Sequence, residues 1–147
     1  MRPKRSFILL IILLIVSFSS AGCVLLPKPG ILTLRISPST VYISESVLMT
    51  FTLRERNGVG VSLNYIKMET YNQWGDLKNR VVMKGQEAEQ EFFNLFGTHT
   101  IRGEETLQAT FNTIESTPIG KRVITMGGTG DNGNSTRTSH EYHVKQR

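Results

Sequence analysis

From residue 31 onward, apolar and polar positions trade places every second residue in one stretch after another. Leu32, Leu34 and Ile36 alternate with Thr33 and Arg35. Successive side chains of a strand point to opposite faces, so this spacing predicts a half-buried strand, and Pro38 closes it because proline has no N–H for a ladder. Val47, Met49, Phe51 and Leu53 alternate with Leu48, Thr50, Thr52 and Arg54 over the longest such run in the chain. Asn57-Gly58, with Gly60 close behind, marks a turn. Beyond it Val59, Val61, Leu63 and Tyr65 hold one phase while Ile66 and Met68 take the other. A change of phase inside a strand predicts a bulge or a switch of sheet.

Gly75-Asp76 reads as a turn between Tyr71 and a strand around Arg80 to Met83. Gln86 to Gln90 is polar and rich in glutamate, one helical turn at most, and Phe92, Phe93, Leu95 and Phe96 form an aromatic knot too short for a helix, closed by Gly97. After the polar turn Arg102-Gly103-Glu104-Glu105, Leu107, Ala109 and Phe111 alternate with Gln108, Thr110 and Asn112. Pro118 and Gly120 separate that strand from Lys121 to Met126. Gly127 to Asn134 reads as a hairpin connection, and Thr136 to Lys145 returns with Tyr142 and Val144 on its inner face. About seven or eight short strands, spaced roughly 8 to 15 residues apart with no sustained 3.6 period, predict an all-β fold, a single antiparallel β-sandwich.

The first 23 residues follow another pattern: a basic start (Arg2, Lys4, Arg5), an apolar run from Phe7 to Phe18 broken only by Ser17, then Ser19, Ser20, Ala21, Gly22 and Cys23. A positive end held on the cytoplasmic side, with an apolar stretch shorter than the roughly 20 residues of a membrane helix, makes an export signal. Ser20-Ala21-Gly22-Cys23 resembles the lipobox of bacterial lipoproteins. The resemblance implies that the lipoprotein signal peptidase recognises Ser20, Ala21 and Gly22, that the Cys23 thiol receives a diacylglycerol, and that the chain is cut just before Cys23. Ser20 stands where the family usually has leucine. Two or three acyl chains hold a protein firmly where one holds it only marginally. The alternative is that Phe7 to Leu26 stays uncleaved as a signal anchor, although Ser-Ser-Ala-Gly ends a span poorly and presents a cleavage site well. In a host with two membranes, Val24 after the cysteine resembles the signal for outer-membrane sorting; otherwise the cell surface is the destination. The chain then divides into a signal peptide (1–22), a lipidated cysteine with its tether (23–30) and the domain (31–147). In the tether Pro27 and Pro29 resist helix, and Lys28 suits anionic headgroups.

Three segments carry a second resemblance: Asn57-Gly58-Val59-Gly60-Val61-Ser62-Leu63, the Phe92 to Gly97 knot with Gly103-Glu104-Glu105-Thr106-Leu107, and Gly128-Thr129-Gly130-Asp131-Asn132-Gly133-Asn134. Together they resemble the loop and final-hairpin pattern of bacterial immunoglobulin-like, fibronectin-type-III-like domains of secreted proteins and lipoproteins. The match spans residues 31–145 and implies an immunoglobulin-like sandwich. The paired cysteines of antibody domains are missing, and Trp74 lies beside a turn rather than in a core strand. A fold of this kind serves many functions, so no ligand is implied.

Charge and chemistry narrow the function. Seventeen lysines and arginines against twelve acidic residues give +5, but three of the basic residues lie in the leader, and the remaining fourteen leave only +2. That near neutrality argues against a nucleic-acid partner. One cysteine excludes an internal disulfide and a cysteine-based zinc cluster. A phosphate loop ending at Gly120-Lys121 would need glycine at 115 and serine or threonine at 122, where the chain has Glu115 and Arg122. Gly127 to Gly133 is followed by strand rather than helix, which excludes a dinucleotide loop. His140 and His143 face opposite sides of a regular strand, and only Glu141 and His143 share a side. Two aspartates, Asp76 and Asp131, are too few for a calcium cage. His99 stands alone, and no serine occupies a glycine elbow. Glu87, Glu89 and Glu91 form a solvated run or an acidic rim for a basic partner.

The sequence thus points to a lipid-anchored, extracytoplasmic, non-catalytic binding module of the cell envelope. It is held to the membrane through lipid on Cys23, uses no cofactor or metal, and expects an envelope protein or a glycan as partner. A structural subunit or spacer of an envelope assembly is the alternative. Contact surfaces fall at the end carrying Asn57 to Gly60 or the one carrying Gly127 to Asn134, with Tyr71 and Trp74 either exposed contacts or core.

Overall fold

A computed structural model describes residues 26–116 and 118–147. The segment expected to be the leader, with Ser20, Ala21, Gly22 and Cys23, lies outside the described residues. Among those described, nine strands and one helix follow in order: β1 (Leu32–Ser37), β2 (Thr40–Tyr42), β3 (Ser46–Glu55), β4 (Val61–Asn72), β5 (Leu77–Lys84), α1 (Gln86–Phe96), β6 (Thr100–Ile101), β7 (Thr106–Ile114), β8 (Gly120–Gly130) and β9 (Ser135–Lys145). One sheet has the order β1-β3-β7, the other β2-β9-β8-β4-β5, with β6 paired to the start of β4. Strand β2 lies parallel to β9, and the other pairs are antiparallel. The chain is a β-sandwich with nine strands rather than seven or eight. The additional ones, β2 and β6, have three and two residues, too few to show an alternating pattern.

The alternating apolar positions are the core. Leu32, Leu34, Ile36, Met49, Phe51, Leu53 and Leu107 of the first sheet pack against Leu63, Ile66, Ile124, Met126, Tyr142 and Val144 of the second. The change of phase in β4 is a bulge: Leu63 pairs with Gly128 and Tyr65 with Gly127, leaving Asn64 no partner of its own on β8. Past the bulge Ile66 turns inward, and Tyr65, Lys67, Glu69 and Tyr71 take the outer face.

Two expectations are corrected. The glutamate run and the aromatic knot are one helix, α1, of eleven residues. Ala88, Phe92 and Phe96 recur every fourth residue, one helical stripe. Ala88 and Phe92 are fully buried, and the Phe92 and Phe96 rings stack at 6.4 Å. Gly97, at φ 75°, closes the helix by donating its N–H to the Phe93 carbonyl. Phe93 and Leu95 fall off the stripe and blur it in so short a segment. Second, Gly127 to Gly130 belong to β8, and the connection to β9 is only Asp131 to Asn134. A Cβ at Gly128 would stand 2.1 Å from the Ser62 carbonyl oxygen, so the glycine is there for close strand approach, not for a turn.

Candidate functional site

The strands run between two ends of the sandwich, and the two ends differ in kind. At one end lie the tether, the β3–β4 loop, the β6–β7 loop and the β8–β9 turn. Glu55, the last residue of β3, is fully buried there, with no cation paired to it among the described residues. Its carboxylate accepts five backbone N–H groups: Ile31 at 3.1 Å, Asn57 at 2.9 Å, Gly58 at 2.8 Å, Val59 at 3.2 Å and Glu104 at 3.0 Å. Burial alone would raise the pKa of this carboxyl, but the donors from Glu104, Ile31, Asn57 and Val59 outweigh it and bring it from 4.5 down to about 2. The β3–β4 and β6–β7 loops touch backbone to backbone, since a Cβ on Gly103 would lie 2.5 Å from the Gly58 carbonyl carbon. Asn57 donates its side-chain amide to the Pro29 carbonyl at 2.6 Å, and Asn132 does the same to Lys28. The structure therefore brings the two loops singled out in the sequence together, and their polar groups hold the tether.

The opposite end is built around the β4–β5 hairpin. Strand β4 has twelve residues, which sets the two ends about 35 Å apart at the rise of an extended chain. Trp74, at the hairpin tip, is 77% exposed. Asn72 fixes this turn: its Oδ1 accepts the N–H groups of Trp74 at 3.1 Å and Asp76 at 2.8 Å, and its Nδ2 donates to the Asp76 carboxylate at 2.9 Å. A short amide side chain that bonds its own turn in this way stiffens the hairpin, so the indole rides on a braced support. A surface cleft of about 300 Å³ adjoins it, lined among others by Gln73, Gly75, Ile119, Lys121, His143 and Lys145. Lys121 pairs with Glu141 at 3.1 Å and stands 5.3 Å from the centre of the Tyr71 ring. Gly120, at φ 147°, begins β8 so close to β4 that a Cβ would meet the Tyr71 carbonyl oxygen at 2.2 Å.

Behind the cleft, Arg122 lies 3.3 Å from the Glu115 carboxylate and donates to the carbonyls of Ser116 at 3.1 Å and Pro118 at 2.9 Å. The Tyr142 hydroxyl donates to Glu115. Burial first, and the Glu115 carboxylate after it, hold the Tyr142 hydroxyl well above the usual tyrosine range. This network fastens the crossing from β7 in one sheet to β8 in the other.

Of the candidates read from sequence, Tyr71 is half-buried on the outer face of β4 and Trp74 is exposed, and neither joins the core cluster. His143 is exposed, 3.7 Å from Glu141, while the half-buried His140 takes the other side of β9. Among the described residues no three histidine, cysteine or acidic side chains converge as metal ligands, and no helix is long and apolar enough to cross a membrane. Sequence reasoning missed the carboxylate of Glu55 and the Glu115–Arg122–Tyr142 network. Each depends on segments far apart in the chain, and an acidic residue closing an alternating strand looks like the start of a solvated loop.

The sequence matches no protein-family model and no curated protein. Solved structures are similar to it in fold. The putative ApaA protein from Bordetella pertussis is 17% identical with a TM-score of 0.50, over 82% of this chain and 98% of that one. A CARDB domain from Pyrococcus furiosus is 15% identical with a TM-score of 0.40, over 81% and 94%. A Niemann-Pick type C2 protein from the Japanese carpenter ant is 11% identical with a TM-score of 0.46, over 82% and 94%. The first of these likenesses supports the β-sandwich fold. At such identities the likeness is one of fold alone.

Proposed function

We propose that this chain is a lipid-anchored, extracytoplasmic, non-catalytic binding module of the cell envelope, with Cys23 as its membrane tether and the Trp74 end as its contact surface. The observation that carries the reading is the opposition of the two ends: the tether is bonded to one, and the exposed indole crowns the other. Three peptide steps from Cys23 to Leu26 span at most about 11 Å. Lipid on Cys23 therefore keeps the Glu55 end at the bilayer and turns Trp74 outward. An indole supplies a large, stiff, amphipathic contact, and the amines of Lys121 and Lys145 beside it donate hydrogen bonds. That combination suits a glycan or an envelope protein.

Trp74 is the only tryptophan in the chain, so intrinsic fluorescence reports on this site directly. Membrane-extracted protein is expected to have the mass of a chain beginning at a diacylated Cys23, and its emission to shift on titration with soluble cell-wall glycan fragments or envelope extract, while Trp74→Ala, which has no indole to report, should lose the heat of binding to the same fraction in calorimetry. An unmodified full-length mass removes the anchor from the proposal, and emission indifferent to every envelope fraction removes the contact surface. The alternative role as an assembly subunit rests on β5, an edge strand exposed along nearly all of its eight residues. Lys78, Arg80 and Lys84 on that strand oppose pairing with a second copy. A stoichiometric partner retained through solubilisation, and released by substitutions in β5 rather than at Trp74, distinguishes this role.

A further inference from the structure

The outer face of the six-stranded sheet holds a second cleft, distant from Trp74, of about 210 Å³ and lined among others by Asn64, Tyr65, Lys84, Gly85, Ser135 and Arg137. Here the Arg137 guanidinium carbon lies 3.6 Å from the centre of the Tyr65 ring. The residue between them in the sheet is Gly127, paired with Tyr65 on one side and Arg137 on the other. A Cβ at that position would stand 2.6 Å from Arg137 Cγ. The bare backbone of Gly127 is what lets the arginine lie down across the sheet. On the far side of Tyr65 its partner is Lys84, so one aromatic ring has a cation on each flank.

Pairing sets these two cations apart from Lys67, Arg80 and Lys121 on the same face. Lys67 and Arg80 share Glu69 at 2.9 and 2.8 Å, and Lys121 takes Glu141 at 3.1 Å. Among the described residues Lys84 and Arg137 have no carboxylate partner, and both are exposed. A guanidinium stacked on an aromatic face keeps its N–H groups in the ring-parallel plane, free to grip two oxygens of one ligand group. The first turn of α1 opens beside the cleft, but Glu87 and Glu89 within it offset its dipole. The attraction therefore comes from the two side chains.

We propose that this cleft binds the phosphate group of a ligand, with Arg137 forming a two-pronged contact and Lys84 supplying the second charge. Two converging cations match a dianionic phosphate better than a single carboxylate. The inference is independent of Cys23 and of Trp74.

The test is an amide and arginine-side-chain NMR titration of the full chain in neutral detergent with inorganic phosphate, at ionic strength held constant with sodium chloride. Saturable shifts are expected at Arg137 Nε and around Lys84 and Gly85. Arg137→Gln should abolish them. Arg137→Lys, which keeps the charge and loses the fork, should weaken binding about tenfold. Lys67→Gln, at a residue already paired, should change nothing. The same measurement in discs of phosphatidylglycerol and of phosphatidylcholine identifies the source: saturation by inorganic phosphate assigns a soluble phosphorylated ligand, and shifts confined to phosphatidylglycerol discs assign a lipid headgroup. Shifts that stay linear in both arms, spread over all lysines, persist in Arg137→Gln, or are matched by acetate overturn the proposal.

Discussion

The carboxylate of Glu55 accepts the backbone N–H of Glu104 at 3.0 Å, across 49 residues of chain. Two acidic residues thus meet without repulsion, because one offers its backbone and the other its side chain. The same carboxylate holds the start of β1 and the β3–β4 loop, so three segments depend on one buried anion. Glu55→Gln keeps the shape but turns an amide group toward N–H donors, and should cost about 3 kcal/mol or more, read by chemical denaturation at neutral pH. Because the folded pKa, about 2, lies below the ordinary 4.5, the contribution is fully present above pH 4.5 and fades as pH falls toward 2. Wild-type stability should drop across that window. If Glu55→Gln shows the same slope there, the nest of N–H groups is not what holds this end together.

Tyr142 carries the opposite sign. Its folded pKa is raised above the ordinary 10.0, so its contribution is complete below that pH and is lost as pH rises beyond it. Absorbance titration at the tyrosinate band, compared between wild type and Tyr142→Phe, should show this hydroxyl ionising only together with unfolding. The phenylalanine variant should lose about 1 kcal/mol at neutral pH, the worth of one hydrogen bond. Arg122→Met should lose about 3 kcal/mol, because it strands the Glu115 charge.

Helix α1 separates two neighbouring phenylalanines. Phe92 is fully buried and Phe93 is 55% exposed. Phe92→Ala should cost about 3–5 kcal/mol through the cavity it leaves, and Phe93→Ala no more than about 0.5 kcal/mol. Thermal melts of the pair decide whether the segment is a helix with one buried stripe. Equal losses would restore the irregular aromatic knot.

At the hairpin end the exposed indole and the side chain that braces the turn are two residues apart. Trp74→Ala should leave the melting temperature nearly unchanged, within about 0.5 kcal/mol. Asn72→Ala, which releases the N–H groups of Trp74 and Asp76, should cost about 1–2 kcal/mol and broaden the indole fluorescence anisotropy decay. An unaltered anisotropy in Asn72→Ala would show that the turn is braced by something else.

Alternation by itself makes the sandwich legible. A strand half buried against a core must repeat every two residues, and β1, β3, β7 and β9 do so within single uninterrupted runs. The bulge in β4 was legible for the same reason, because an extra residue inverts the pattern that follows it. Helix α1 was not, since three turns hold too few apolar positions to outvote Phe93 and Leu95. The glycines of β8 were misplaced because a residue without a side chain reports a need for space and not which neighbour needs it.

The sequence by itself determined the strand periodicity, the near neutrality beyond the first 23 residues and the lipobox-like motif at Cys23, all properties of residues adjacent in the chain. Tertiary structure alone decided that the tether and both candidate loops share one end while Trp74 takes the other. It also decided that Glu55 gathers N–H groups from three segments and that Arg137 lies over Tyr65 across Gly127. Those relationships follow from strand order and register, which long-range packing selects among many pairings that a local pattern permits equally.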